Sequence, residues 1–245
     1  MKPAPDLTRD TAVSPMEWLM IGSAALTVLS SVLGLLPLHF VCKPLTMVIA
    51  IGLVYLRASQ VRAIQRFDLL LIAALTASMA GDVFLMLPGG YFIPGLASFL
   101  VAHLFYIALF RQEITWFPNR PALLFTLATG AAMYAWVWGG LADPVLKVAV
   151  AAYVGVISLM VAQAMGRATV LRDAASKAVA LGACVFMLSD SLIAINRFVQ
   201  PLPMVSLWVL TSYYVAQFLM VRHAKPTISS LRATGLSLRA TTRNP

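Results

Sequence analysis

The chain has 245 residues, of which 60% are hydrophobic and 11% charged, with a formal net charge of +9. Soluble domains carry about 25% charged residues, so the apolar excess must face lipid. This composition excludes a secreted disulfide scaffold, a disordered chain and a nucleic-acid-binding domain, and the two isolated cysteines, Cys42 and Cys184, are expected to pack in the core.

In chain order, residues 1–15 come first, with Pro3, Pro5 and Pro15 among mixed charges. They read as a flexible segment without the basic, apolar, small-residue order of a cleaved leader, so the first span is expected to be retained. Eight stretches then approach the roughly 20 apolar residues that one helical crossing needs. They lie at about 16–36, 39–57, 67–87, 91–111, 120–138, 144–165, 177–198 and 203–221. The second reaches full length only by including His39 and Lys43. From Arg222 to Pro245 the tail carries five basic residues and no acid, and is expected to be disordered or to lie on the membrane surface.

The connections between these stretches alternate in character. Those near 36–38, 88–90, 139–143 and 199–202 are short and lack Lys and Arg. The others hold Arg57, Arg62 and Arg66, then Arg111 and Arg120, then Arg167, Arg172 and Lys177, and finally the tail. Basic connections stay in the cytoplasm. The sequence therefore predicts an all-α polytopic bundle with an eight-span membrane domain over 16–221, both termini cytoplasmic, and a basic tail at 222–245. The positive charge is then a topology signal and a contact for anionic headgroups.

Seven of the nine acidic residues fall at span ends or in loops, and two do not. Asp82 lies in the third span after Ser78 and Gly81, and Asp190 lies in the seventh after Phe186 and Ser189. A carboxyl inside a span costs about 2.5–3.5 kcal/mol on insertion scales, so both should face the bundle interior or a water-filled cavity. At 1.5 Å per residue Asp82 lies about 7 Å and Asp190 about 12 Å below the outer boundary.

Helical spacing supplies their neighbours. Ser78 shares a face with Asp82, and Gly81 allows close approach of a helix or substrate. Phe186, Asp190 and Arg197 form one stripe. Lys43, Arg197 and Lys147 are the outward-side cations; the first two are candidates for a phosphate clamp, with snorkelling to headgroups as the alternative. His103 and Tyr106 in the fourth span, and Tyr213, Tyr214 and Gln217 in the eighth, are candidate supporting groups, with interhelical packing as the alternative. No HExxH, GxSxG or metal-ligand spacing occurs, so neither a metal nor another cofactor is expected.

From these residues alone, a carrier using the aspartates for proton coupling is one reading and an acid–base enzyme another. An intramembrane aspartyl protease fits less well, because Met79 stands where a GxGD motif needs glycine.

Taken together, Lys43-Pro44-Leu45-Thr46, Ser78-x-x-Gly81-Asp82-x-x-Leu85, Gly95-x-x-Ser98-Phe99-x-x-x-His103-x-x-Tyr106, Gly182-x-x-x-Phe186-x-x-Ser189-Asp190 with Arg197-Phe198, and Tyr213-Tyr214-x-x-Gln217 resemble the YhhN-like family, in order, from the second span to the eighth. The resemblance implies an eight-span membrane hydrolase that cleaves the vinyl ether bond of lysoplasmalogens to a fatty aldehyde and a glycerophospho-alcohol. It also implies that Asp82 and Asp190, which match the family's GD and SD motifs, are catalytic. Ser189 would be a supporting residue, and the partners would be a lysophospholipid substrate and membrane lipids, without nucleic acid. A bacterial inner membrane is the expected location.

Overall fold

The computed structural model describes residues 13–61 and 64–226. Most of the segment expected to be flexible at 1–15, and of the tail at 222–245, lies outside the described residues. Ser14 caps the first helix, and Arg222 and Lys225 are held against neighbouring side chains.

Among the described residues there are eight α-helices and no strand. They are α1 (Pro15–Val32), α2 (Leu36–Val61), α3 (Arg66–Met86), α4 (Phe92–Phe110), α5 (Arg120–Val137), α6 (Pro144–Leu171), α7 (Ala174–Phe198) and α8 (Val205–His223). Their starts are written locally. Ser14 and Glu17 form a capping box ahead of Pro15, and Asn119, Asp143 and Asp173 each accept a hydrogen bond from a first-turn N–H. Several acids that read as span-end residues are thus consumed in starting helices.

Seven of the eight helices are long and apolar enough to cross a membrane, so the chain is an integral multi-pass membrane protein. The exception on composition is α8, whose 19 residues include Tyr213, Tyr214 and Gln217, all buried against other helices. Several boundaries differ from the expected ones: the first helix ends at Val32 rather than 36, and the second runs Leu36–Val61 rather than 39–57. The sixth helix runs to Leu171 rather than 165 and the seventh begins at Ala174 rather than 177. Arg167 therefore sits inside α6, buried, and donates to the Gln112 carbonyl at 2.9 Å and to Glu113 Oε2 at 2.8 Å. A cation expected to contact headgroups is instead spent on holding the α4–α5 connection.

Helix neighbours follow the order α1, α2, α3, α4, α6, α7, α8 and back to α1, a closed ring of seven, with α5 lying outside against α6. Small residues set the tightest approach. A side chain at Gly81 on α3 would strike the Phe99 ring on α4, and one at Gly95 on α4 would strike Leu85 on α3. Gly182 on α7 likewise meets the backbone of α8 at Ala216. The ring encloses a core of aromatic and aliphatic side chains that includes Phe99, Tyr106, Phe186 and Tyr213. Of the two cysteines, Cys42 is buried as expected. Cys184 is exposed, because its position on α7 turns outward between the buried Ala183 and Phe186.

Candidate active site

The short-loop half of the ring holds two separate carboxyl clusters. Asp82 on α3 is 2% exposed and has both oxygens engaged. Lys43 Nζ on α2 stands 3.1 Å from Oδ1, and the Tyr213 hydroxyl on α8 donates to Oδ2 at 2.7 Å. Lys43 itself is only 7% exposed, so it turns inward onto Asp82 instead of snorkelling to lipid headgroups. A buried charge needs such a partner, because desolvation of an isolated ion costs several kcal/mol. The second contact of the Tyr213 hydroxyl is Met47 Sδ at 3.5 Å.

Asp190 on α7 is arranged differently. Its Oδ2 accepts a 2.5 Å hydrogen bond from the Tyr153 hydroxyl on α6, and His103 Nε2 on α4 lies 3.9 Å away. Neither Lys nor Arg pairs with it among the described residues. The carboxyl borders an apolar cavity walled by residues such as Leu96, Val150, Ile157 and Met187. Within that wall Asp190 and Tyr153 are the strongly polar groups.

Helices α3 and α7 pack on their neighbours rather than closely on each other, and rings fill the space between the clusters. Phe99, Phe186 and Tyr213 form a mutually edge-on trio with centroids 5.4–6.2 Å apart. His103 sits edge-on to both Tyr153 and Phe186, at 5.2 and 5.0 Å. Completely buried, it has no hydrogen bond at either nitrogen, and Ser78 Oγ, one turn before Asp82, is also buried without one. Buried polar atoms are normally satisfied by protein or ordered water, and Tyr214 Oη and Gln217 Nε2 are likewise buried without a hydrogen bond.

The other expected site residues divide. Tyr106 donates to Gln217 Oε1 at 2.7 Å, tying α4 to α8 beneath the ring trio. Ser189 donates to the Val209 carbonyl at 3.0 Å and so locks α7 to α8 beside Asp190, facing away from the cavity. Tyr214 is buried next to Tyr213 but borders a groove between α8 and α1. Arg197 is exposed and lies flat over Phe92 with its guanidinium carbon 4.0 Å from the ring centroid. It lines a second, polar cavity at the short-loop end together with Lys43, His39 and Asn196. Leu85, Phe92 and Ile193 border both cavities, so the polar mouth and the apolar chamber are adjacent. Lys147 is separate from both, stacked over Trp138 at 4.4 Å.

Tyr153, His39 and Asn196 were not singled out in the sequence. The available signal for Tyr153 was its position as the one polar side chain in the run Val148-Ala-Val-Ala-Ala-Tyr153-Val-Gly155.

Comparison with known proteins places the chain. The sequence profile of the YhhN family matches residues 38–224. The chain is 33% identical over 164 residues to lysoplasmalogenase TMEM86B of Homo sapiens, a match that covers 67% of this chain and 64% of that protein. It is 35% identical over 168 residues to lysoplasmalogenase TMEM86B of Rattus norvegicus, covering 68% and 64%. To the lysoplasmalogenase of Mycobacterium tuberculosis it is 31% identical over 156 residues, covering 61% and 58%. The chain thus spans less than two thirds of the length of these curated relatives. No solved structure matches it. The profile match runs from α2 to the end of α8 and contains Lys43, Asp82, His103, Tyr153, Asp190 and Tyr213: the chain belongs to the YhhN family.

Proposed function

We propose that this protein is a membrane-embedded hydrolase that cleaves the vinyl ether bond of lysoplasmalogens, releasing a fatty aldehyde and a glycerophospho-alcohol. It would lie in a bacterial inner membrane with eight spans and both termini in the cytoplasm, so that the short-loop end and its polar mouth face outward. The relatives named lysoplasmalogenase support the reaction class. The observation that carries the mechanism is the inequality of the two carboxyls: one is ion-paired with Lys43, and the other borders an apolar cavity with a phenol and an imidazole beside it.

Asp190 is the proton donor. Its carboxyl proton passes to the β-carbon of the vinyl ether, the π electrons form the new C–H bond, and positive charge develops over the adjacent carbon and the ether oxygen. Water then adds to that carbon and returns a proton to the Asp190 carboxylate. The resulting hemiacetal breaks its C–O bond to the glycerol, which takes a proton as the aldehyde forms. Asp82 does not border the cavity; paired with Lys43 behind the Phe99, Phe186 and Tyr213 rings, it acts on the developing cation across them as one end of a fixed dipole, and prearranged dipoles in a low-dielectric site are a large catalytic contribution. His103, with no hydrogen bond at either nitrogen and Nε2 3.9 Å from Asp190, holds the attacking water. The alkenyl chain occupies the apolar cavity, and Arg197 takes the phosphate at the mouth; Lys43, committed to Asp82, tunes the site instead of clamping the phosphate.

Aldehyde release from ethanolamine and choline lysoplasmalogens by protein purified in detergent tests this directly. Asp190→Asn and Asp82→Asn are each expected to lower kcat by about 10²–10⁴-fold, the range for a positioned acid or a preorganised charge. Near-parental turnover in both folded variants would refute the mechanism.

A further inference from the structure

The polar cavity at the short-loop end carries more information than a phosphate contact. Its cations are unequal: Lys43 is neutralised by Asp82, whereas Arg197 has no carboxylate partner among the described residues. The mouth therefore offers one uncompensated positive charge, suited to a single phosphodiester.

His39 supplies an opposite polarity. It stands in the first turn of α2, and its Nδ1 lies 3.3 Å from the Thr27 carbonyl oxygen of α1. A carbonyl oxygen can only accept, so Nδ1 carries the proton. In the neutral imidazole, which dominates above the ordinary histidine value of about 6.5, Nε2 is then a bare acceptor. The side of the ring opposite Thr27 is free for the cavity that His39 lines. The Asn196 carbonyl oxygen is likewise taken, by the Leu202 N–H at 2.9 Å, which leaves its NH₂ as a donor. The cavity thus pairs donors for a phosphate, from Arg197 and Asn196, with an acceptor for a group that carries N–H.

A quaternary ammonium would need a different wall. Such groups are held by aromatic cages, but the Phe92 face is already covered by Arg197 and Phe40 is the other ring lining the cavity. Neither Trp nor Tyr borders it.

We propose that this cavity is a phosphoethanolamine site, in which Arg197 binds the phosphate and His39 Nε2 accepts a hydrogen bond from the primary ammonium, selecting ethanolamine over choline lysolipids. The assignment deepens the proposed function, and its test does not require turnover. Binding of a saturated 1-O-alkyl lysophosphoethanolamine, which has no vinyl ether to cleave, is compared with that of its phosphocholine counterpart on the detergent-purified protein. One charge-assisted hydrogen bond corresponds to roughly a tenfold preference for the ethanolamine lipid. His39→Phe is expected to reduce the preference to near unity, and Arg197→Gln to weaken both lipids by a similar factor and leave the ratio in place.

Soluble glycerophosphoethanolamine should compete better than glycerophosphocholine, which separates headgroup recognition from chain burial. Equal or choline-favouring affinity of the parental protein, or a preference that survives His39→Phe, overturns the proposal. Because the measurement is of binding, an ethanolamine preference without aldehyde release would refute the hydrolase and leave the site standing, and aldehyde release without the preference would do the reverse.

Discussion

Tyr153 and Lys43 decide what each carboxyl can do. The Tyr153 hydroxyl holds one oxygen of Asp190, so the carboxyl plane is fixed and the other oxygen is left for the cavity. Tyr153→Phe removes only this contact, and a hydrogen bond to an ionisable partner is worth about 1.5–3 kcal/mol. Steady-state kinetics should show kcat falling roughly tenfold or more with KM nearly unchanged, because the ring still walls the chain cavity. Lys43 has the complementary role. Lys43→Met strands a buried carboxylate, which costs about 3–5 kcal/mol when one partner of a buried pair is removed. Thermal unfolding should therefore drop in Lys43→Met and recover in the double variant with Asp82→Asn, whose carboxamide needs no counter-charge.

Asp82 and Asp190 stood out in the sequence because a carboxyl inside an apolar run carries an energetic penalty that demands an explanation. Tyr153 did not, because a tyrosine in such a run costs little and is read as packing. The pairing of Lys43 with Asp82 was equally hidden. The two residues belong to different helices, and helical periodicity relates only residues on the same one.

At the level of elements, the site depends on how closely α3 and α4 approach. Gly81 lets the Phe99 ring lie against the α3 backbone, where a Cβ would come within 2.6 Å of it. Phe99 in turn contacts Phe186 and Tyr213, so the separation of these two helices sets the position of the phenol that holds Asp82. Gly81→Val forces Phe99 aside, and overpacking of this kind costs about 1–3 kcal/mol. The variant should lose activity by more than its loss of thermal stability explains, since ring displacement acts directly on Tyr213. A gain in stability with unchanged turnover would contradict this coupling. The approach itself was foreseeable from Gly81, since a small residue in an apolar helix marks a close contact. Which ring fills the gap depends on the register of α4 against α3, and that register is set by the whole interface.

For the molecule as a whole, the basic end works as a clasp. Arg57 on α2 donates to the carbonyls of Val221 at 2.7 Å and Ala224 at 3.0 Å, satisfying carbonyls at the C-terminal end of α8 that the helix itself leaves without a partner. Arg222 meets Glu17 on α1 at 3.4 Å, and Arg167 reaches from α6 to the α4–α5 connection and the Lys225 carbonyl. These contacts close the ring where α8 returns to α1. Arg167→Met should lower stability by roughly 3 kcal/mol, the scale for breaking a buried charge pair, as read from thermal unfolding in detergent. The kinetics of the surviving folded fraction should be unaltered, because the clasp lies at the opposite end from the carboxyls.

The sequence by itself determined the all-helical architecture, most helix boundaries, the membrane setting and the family, since these follow from local quantities: apolar run length, capping residues, charge in the connections and short motifs in order. It also singled out the two aspartates, because burial cost is a property of one residue in its run. Tertiary structure alone decided that α5 stands outside the ring and that Arg167 is a strut. The same packing left Asp82 with a cation and a phenol, and Asp190 with a phenol and an imidazole. These outcomes depend on which faces of distant helices meet, and that choice is made by the summed packing of the bundle, where close van der Waals contact holds helices together and small residues with complementary polar groups select the partner.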